Sequence, residues 1–154
     1  MLKIRIEIIS ESEEEEVIIK CKELDSTVQE IHKAITEKTS RIPNMVFYKE
    51  KVEYYFPLAD ILFFETDNDA VFAHTTNDIF RIDFKLYELQ KILPDTFVRI
   101  SKSAIVNIVH ILSINRNLAS SSLIRFHKSH KQIYVSRLYY KDLKLKLNNR
   151  SLSL

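Results

Sequence analysis

The 154-residue chain contains no glycine and no tryptophan, only three prolines and a single cysteine. Without glycine there is no Walker A loop and no dinucleotide-binding fingerprint, since both need a residue lacking Cβ where the backbone closes on phosphate. That argues against nucleotide-dependent chemistry. Every tight turn must be built from Asn, Asp, Ser or Pro, of which Asn and Asp best tolerate left-handed backbone. The lone Cys21 leaves no intrachain disulfide and no cysteine-based zinc site. It reads as a small residue in an apolar strand, and one cysteine fits a reducing, cytoplasmic setting. No apolar run approaches the roughly 20 residues that cross a bilayer. The alternation of charge and aliphatics over Met1–Ile9 is not the apolar core of a signal peptide.

Charge is present in both signs but unevenly placed. The formal net charge is +2, yet residues 1–47 carry −3, residues 48–97 carry −5 and residues 98–154 carry +10. Asp142 is the only carboxylate side chain in that last stretch. An acidic front and a basic tail of this steepness point to a polyanionic partner for the tail. The plainer alternative is that the tail's cations pair with carboxylates of the front.

Residues 2–9 alternate as a strand does, with Leu2, Ile4, Ile6 and Ile8 on one face. Glu13–Glu16 could open a helix, but the β-branched run Val17-Ile18-Ile19 favours a second strand and hence a hairpin. Asp25-Ser26-Thr27 offers N-caps for a helix over about 26–38, with Val28, Ile31, Ala34 and Ile35 at helical spacing. Arg41-Ile42-Pro43-Asn44 closes this unit. Short β runs follow at 45–49, 51–56, 61–65, 70–75 and 79–82, then a helix over 85–93 stopped by Pro94. Further strands are expected at 97–100, 104–108, 111–115, 122–127 and 132–135. Ser136 could cap a last helix with Leu138, Leu143 and Leu147 inward and Lys141, Lys144 and Lys146 outward.

Catalytic and metal readings find little support. His127 and His130 are three apart, but cations flank them and no carboxylate or cysteine is near in sequence to complete a site. Ser101, Ser103 and Ser136 lack a glycine elbow and any tie to a histidine and a carboxylate. Asp67 and Asp69 bracket Asn68 in what reads as a tight turn. No enzyme, cofactor, metal or small-molecule substrate is expected.

Two stretches carry the chemistry of anion binding instead. In Phe97-Val98-Arg99-Ile100-Ser101-Lys102-Ser103, apolar strand positions flank Ser-Lys-Ser, whose hydroxyls and ammonium suit phosphate oxygens or a guanine edge. In Tyr134-Val135-Ser136-Arg137-Leu138-Tyr139-Tyr140, Arg137 would stand at the positive end of the last helix. The alternative for Arg137 is a surface ion pair. Of Tyr139 and Tyr140, one is expected to pack and the other to touch phosphate.

These residues also carry a resemblance. Residues 45–147 resemble the LytTR DNA-binding domain of bacterial transcription regulators, through Asp60-Ile61-Leu62-Phe63-Phe64-Glu65, Leu93-Pro94, the Phe97–Ser103 stretch, Ile105-Val106-Asn107 and Val135-Ser136-Arg137 in that order. The resemblance implies an elongated, mostly β (α+β) domain at 45–154 that inserts loops, not a recognition helix, into successive major grooves of double-stranded DNA. It implies base or groove contacts from Asn68, Lys102 and Arg137. Phosphate contacts are expected from Arg99, Ser101, Ser103, Arg116, Lys128, Lys131, Ser136, Tyr139 and Lys141. Lys102 stands where arginine is commoner in the family, so the bidentate fork is lost there. Residues 1–44 are too short for a phosphorylated receiver domain and resemble the short front module of stand-alone regulators, with a regulatory or dimerising role. A homodimer is expected, and a small membrane protein as a controlling partner is implied by the resemblance alone. A reading from another class is a protein–protein interaction module that uses the acidic front, with DNA contact secondary.

Overall fold

The computed structural model describes residues 2–39, 45–116 and 121–152. The chain divides into two units, Met1–Ser40 and Arg41–Leu154. The boundary expected at residues 41–44 falls outside the described residues.

In the first unit, helix α1 spans Ser26–Thr39. The Val28 N–H donates to Asp25 Oδ1 at 2.9 Å, so Asp25 supplies the N-cap. The expected hairpin before it is not formed. Its turn exists, with the Glu13 N–H on the Ser10 carbonyl at 3.1 Å and the Ser10 hydroxyl on Glu13 Oε1 at 2.8 Å. Its legs carry no strand pairing. The turn itself supplies a physical reason. Closing on Ser10 and Glu13, it would set Glu7 opposite Glu16 and Lys3 opposite Lys20. Like charges directly opposed destabilise a strand pair by a few tenths to about 1 kcal/mol each. Cys21, expected inside an apolar strand, is exposed.

The second unit carries ten strands, two α-helices and two single-turn 3-10 helices among its described residues. The strands are β1 Phe47–Lys49, β2 Val52–Tyr54, β3 Phe63–Asp67, β4 Ala70–His74 and β5 Ile79–Ile82. After helix α2 (Leu86–Ile92) come β6 Phe97–Ser101, β7 Ala104–Asn107, β8 Ile111–Asn115, β9 Ser121–Phe126 and β10 Gln132–Ser136, then helix α3 (Arg137–Leu152). Each strand coincides, within a few residues at its ends, with an apolar run bounded by turn residues. All pairings are antiparallel: one seven-stranded sheet in the order β2-β1-β5-β4-β3-β7-β6, and one three-stranded sheet β10-β9-β8.

The larger sheet is covered on both faces where β3 and β7 run. On one face Phe64, Val71, Ala73, Phe80 and Ile105 meet Leu86 and Leu89 of α2. On the other, Phe63, Val98, Ile100 and Val106 meet Ile124, Phe126, Ile133 and Val135 of the smaller sheet and Leu143 of α3. Burial on both faces is why Ile61–Phe64 and Ala104–Val106 read as continuous apolar runs with no alternation. Asn107, buried at the end of β7, ties the approach to β3 to the turn after β7: its Nδ2 donates to the Ile61 carbonyl at 3.0 Å and its Oδ1 accepts from the Val109 N–H at 3.3 Å.

Candidate nucleic-acid interface

Strand register decides which loops share an end of the second unit. Asp67 pairs with Ala70 across a two-residue turn, Asn68-Asp69, and both turn residues have positive φ (47° and 66°). That is the requirement of a type I′ hairpin, met here with Asn-Asp where glycine is usual. β3 also pairs with β7, with Glu65 opposite Ala104. The Thr66 N–H then reaches the Ser103 carbonyl at 2.8 Å. The Asn68 turn and the Lys102-Ser103 turn between β6 and β7 therefore project from the same end of the sheet. Two strand spacings separate their centres, about 10 Å.

The Lys102 turn is braced from within. A register shift between Arg99 and Ser101 bulges β6, turning Arg99 across the loop. Its guanidinium donates to the Ser101 carbonyl at 2.6 Å, to Gln90 Oε1 of α2 at 3.2 Å, and to the Lys102 carbonyl. Ser101 Oγ accepts the Ser103 N–H at 3.2 Å and lies 3.3 Å from Ser103 Oγ. Lys102 itself is exposed. Arg99, expected as a phosphate ligand, thus spends three donors shaping the loop that presents Lys102. The strand pattern held this signal, because Arg99 and Ser101 share one face at i and i+2.

The smaller sheet brings the third element. Its strands β8 and β10 start at the end of the second unit opposite the two turns. There the His127 N–H meets the His110 carbonyl at 3.0 Å, and the Ser129 hydroxyl meets the Thr76 carbonyl at 2.8 Å. β8 and β10 then run away from that end to Asn115 and Ser136. Arg116 follows β8 and lies over the Tyr140 ring, 4.8 Å from its centroid. Arg137 opens α3, exposed, with Lys141 exposed one turn on.

Several expected contacts are placed differently. Ser136 does not cap α3: its Oγ is buried and has no hydrogen-bond partner among the described residues. Leu138, expected inward, is 79% exposed beside Arg137. Leu143 and Leu147 face inward as expected, and Tyr139 and Tyr140 take the place of Leu138, so both tyrosines pack against the core where one was expected to pack and the other to touch phosphate. Lys128 and Lys131 lie in the β9–β10 turn, at the end away from Asn68 and Lys102. Lys131 is engaged there: its ammonium reaches the Asp78 carbonyl and stands 3.4 Å from His74 Nδ1, and burial lowers its pKa. His74, stacked on Phe63 at 4.1 Å between ring centroids, is held down to a pKa of about 4, first by burial and then by Lys131. No group of His, Cys, Asp and Glu suited to a metal ion occurs among the described residues. No helix among them is long and apolar enough to cross a membrane.

The family model of the LytTr DNA-binding domain matches residues 52–148, which include every element just described from β2 to most of α3. The chain belongs to the LytTR family. An uncharacterised HTH-type transcriptional regulator of Staphylococcus aureus strain NCTC 8325 / PS 47 is 33% identical over 149 residues, covering 96% of this chain and 99% of that protein. Its counterpart in strain MRSA252 is 32% identical over the same length. Among solved structures, a LytTr DNA-binding domain from Bacillus cereus superposes with a TM-score of 0.62 at 20% identity, covering 68% of this chain and 97% of that one. The likeness is one of fold. The helix-turn-helix in the relatives' names has no counterpart among the described residues of this LytTR protein, whose three helices are each separated from the next by strands.

Proposed function

We propose that this LytTR protein is a sequence-specific, double-stranded DNA-binding transcriptional regulator acting in the cytoplasm. It meets the duplex through turns at one end of the second unit, and two copies bind paired sites. The observation that carries the reading is the β3–β7 register, which sets the Asn68 and Lys102 turns side by side. Arg137 and Arg116 stand where β10 and β8 arrive from the opposite end. Turns about 10 Å apart address base pairs about three steps apart. The next major groove on the same side lies about 34 Å along the duplex and falls to the Arg137 junction or to a second copy.

In this reading Lys102, Arg137 and the Asn68 turn approach base edges. Arg116, Lys141, Ser101 and Ser103 hold phosphates, and Arg99 positions the Lys102 turn. The relatives' description as transcriptional regulators supports the same conclusion. The test is a titration on a site selected from random duplexes. Lys102→Ala and Arg137→Ala should each cost about 1–3 kcal/mol of specific binding. Lys128→Ala, at the other end, should leave affinity unchanged. Wild-type affinity in both of the first two variants, or loss confined to Lys128→Ala, would place the interface elsewhere.

A further inference from the structure

The first unit leaves a row of aliphatic side chains without cover. Ile4, Ile6 and Ile8 are 93%, 86% and 99% exposed. Arg5 and Glu7 lie together on the other side, joined at 2.7 Å, as two residues i and i+2 do on an extended strand. This is an extended segment with one aliphatic face and another that carries Lys3, Arg5 and Glu7, and it has no strand partner among the described residues of its own chain. Exposed aliphatic rows of this kind mark association surfaces.

The charges select the partner. The chain's own second leg is unsuitable, because the Ser10–Glu13 turn would oppose Glu7 to Glu16 and Lys3 to Lys20. We propose instead that residues 2–9 pair antiparallel with the same segment of a second copy, about a two-fold axis through Ile6. In that register Ile6 faces Ile6 of the second copy, and Ile4 faces Ile8 on both sides of the axis. Arg5 faces Glu7 twice, so the five central pairs, from Ile4 to Ile8, are complementary, and only at the two outer ends does Lys3 stand opposite Ile9. Shifting the register by two residues centres the axis on Arg5 and opposes two arginines. A one-residue shift opposes charged to aliphatic side chains. The seam deepens the proposal that two copies bind paired sites, and its test contains no DNA, so its failure leaves the DNA-binding reading standing.

The experiment uses the full chain with Cys21→Ser, at tens of micromolar, by light scattering after gel filtration and by oxidative cross-linking. The unsubstituted interface should run at twice the 18.2 kDa of one chain. Ile6→Cys should cross-link to itself readily, whereas Ile4→Cys, which faces Ile8, should not. Ile6→Lys places two ammonium groups on the axis and should weaken the dimer at least about a hundredfold. Arg5→Glu should also weaken it, and Arg5→Glu with Glu7→Arg should restore it. A monomer at these concentrations overturns the proposal. So does a dimer that survives Ile6→Lys, or one whose Ile4→Cys variant cross-links as readily as Ile6→Cys.

Discussion

Arg99 separates a side chain that touches DNA from one that shapes its neighbour. Its guanidinium holds the Ser101 and Lys102 carbonyls and ties them to Gln90 of α2. Removing it frees two partly exposed carbonyls to water, so each hydrogen bond is worth only about 0.5–1.5 kcal/mol of fold stability. The larger effect is on binding. An unbraced Lys102-Ser103 turn must be re-ordered when DNA arrives, at about 1–2 kcal/mol per residue fixed. The Ser101 hydroxyl still holds the Ser103 N–H, so the penalty stays near 1–2 kcal/mol, or about tenfold in affinity. Arg99→Ala and Arg99→Lys should both show that loss, since an ammonium cannot reproduce the fork. Anisotropy titrations across a range of salt should give an unchanged slope of log affinity on log salt for both variants. A phosphate contact would behave otherwise: Arg99→Ala would lower the slope by about 0.9 and Arg99→Lys would keep wild-type affinity. That pattern would refute the bracing role.

His74 should make stability depend on pH. Its pKa of about 4 in the fold lies below the ordinary 6.5, so the unfolded chain takes up the proton first as pH falls. The contribution is complete above pH 6.5, drains away between 6.5 and 4, and amounts to about 1–3 kcal/mol given partial contact with water. Urea midpoints over pH 4–7.5 should fall less steeply for His74→Gln, and equal slopes would contradict this. Asn107→Ala should destabilise by about 2–4 kcal/mol in urea unfolding, because it strands the buried Ile61 carbonyl and the Val109 N–H. A loss under 1 kcal/mol would show that water satisfies both groups.

The sequence alone determined the β-rich second unit, because each strand there is a short apolar or alternating run ended by residues that tolerate turns. The Asn68-Asp69 turn was legible for the same reason: in a chain without glycine, Asn and Asp are what can hold positive φ. So was the basic final third, and the motif order that marks the family. Residues 2–9 and 17–19 were equally strand-like by pattern, yet whether two strands pair depends on what stands opposite, and the four consecutive glutamates sit badly against Glu7. Leu143 and Leu147 of α3 face inward as their spacing predicts, and Leu138 does not; leucine at 138 and tyrosine at 139 and 140 are all apolar enough to face inward, and only packing against β6, β9 and β10 selects the tyrosines. Which cations share an end of the second unit was beyond any local pattern. Lys102 and Lys128 look alike along the chain. The pairing of β3 with β7 and the direction of β10 put them at opposite ends, and long-range register of that kind exists only once the sheets are assembled.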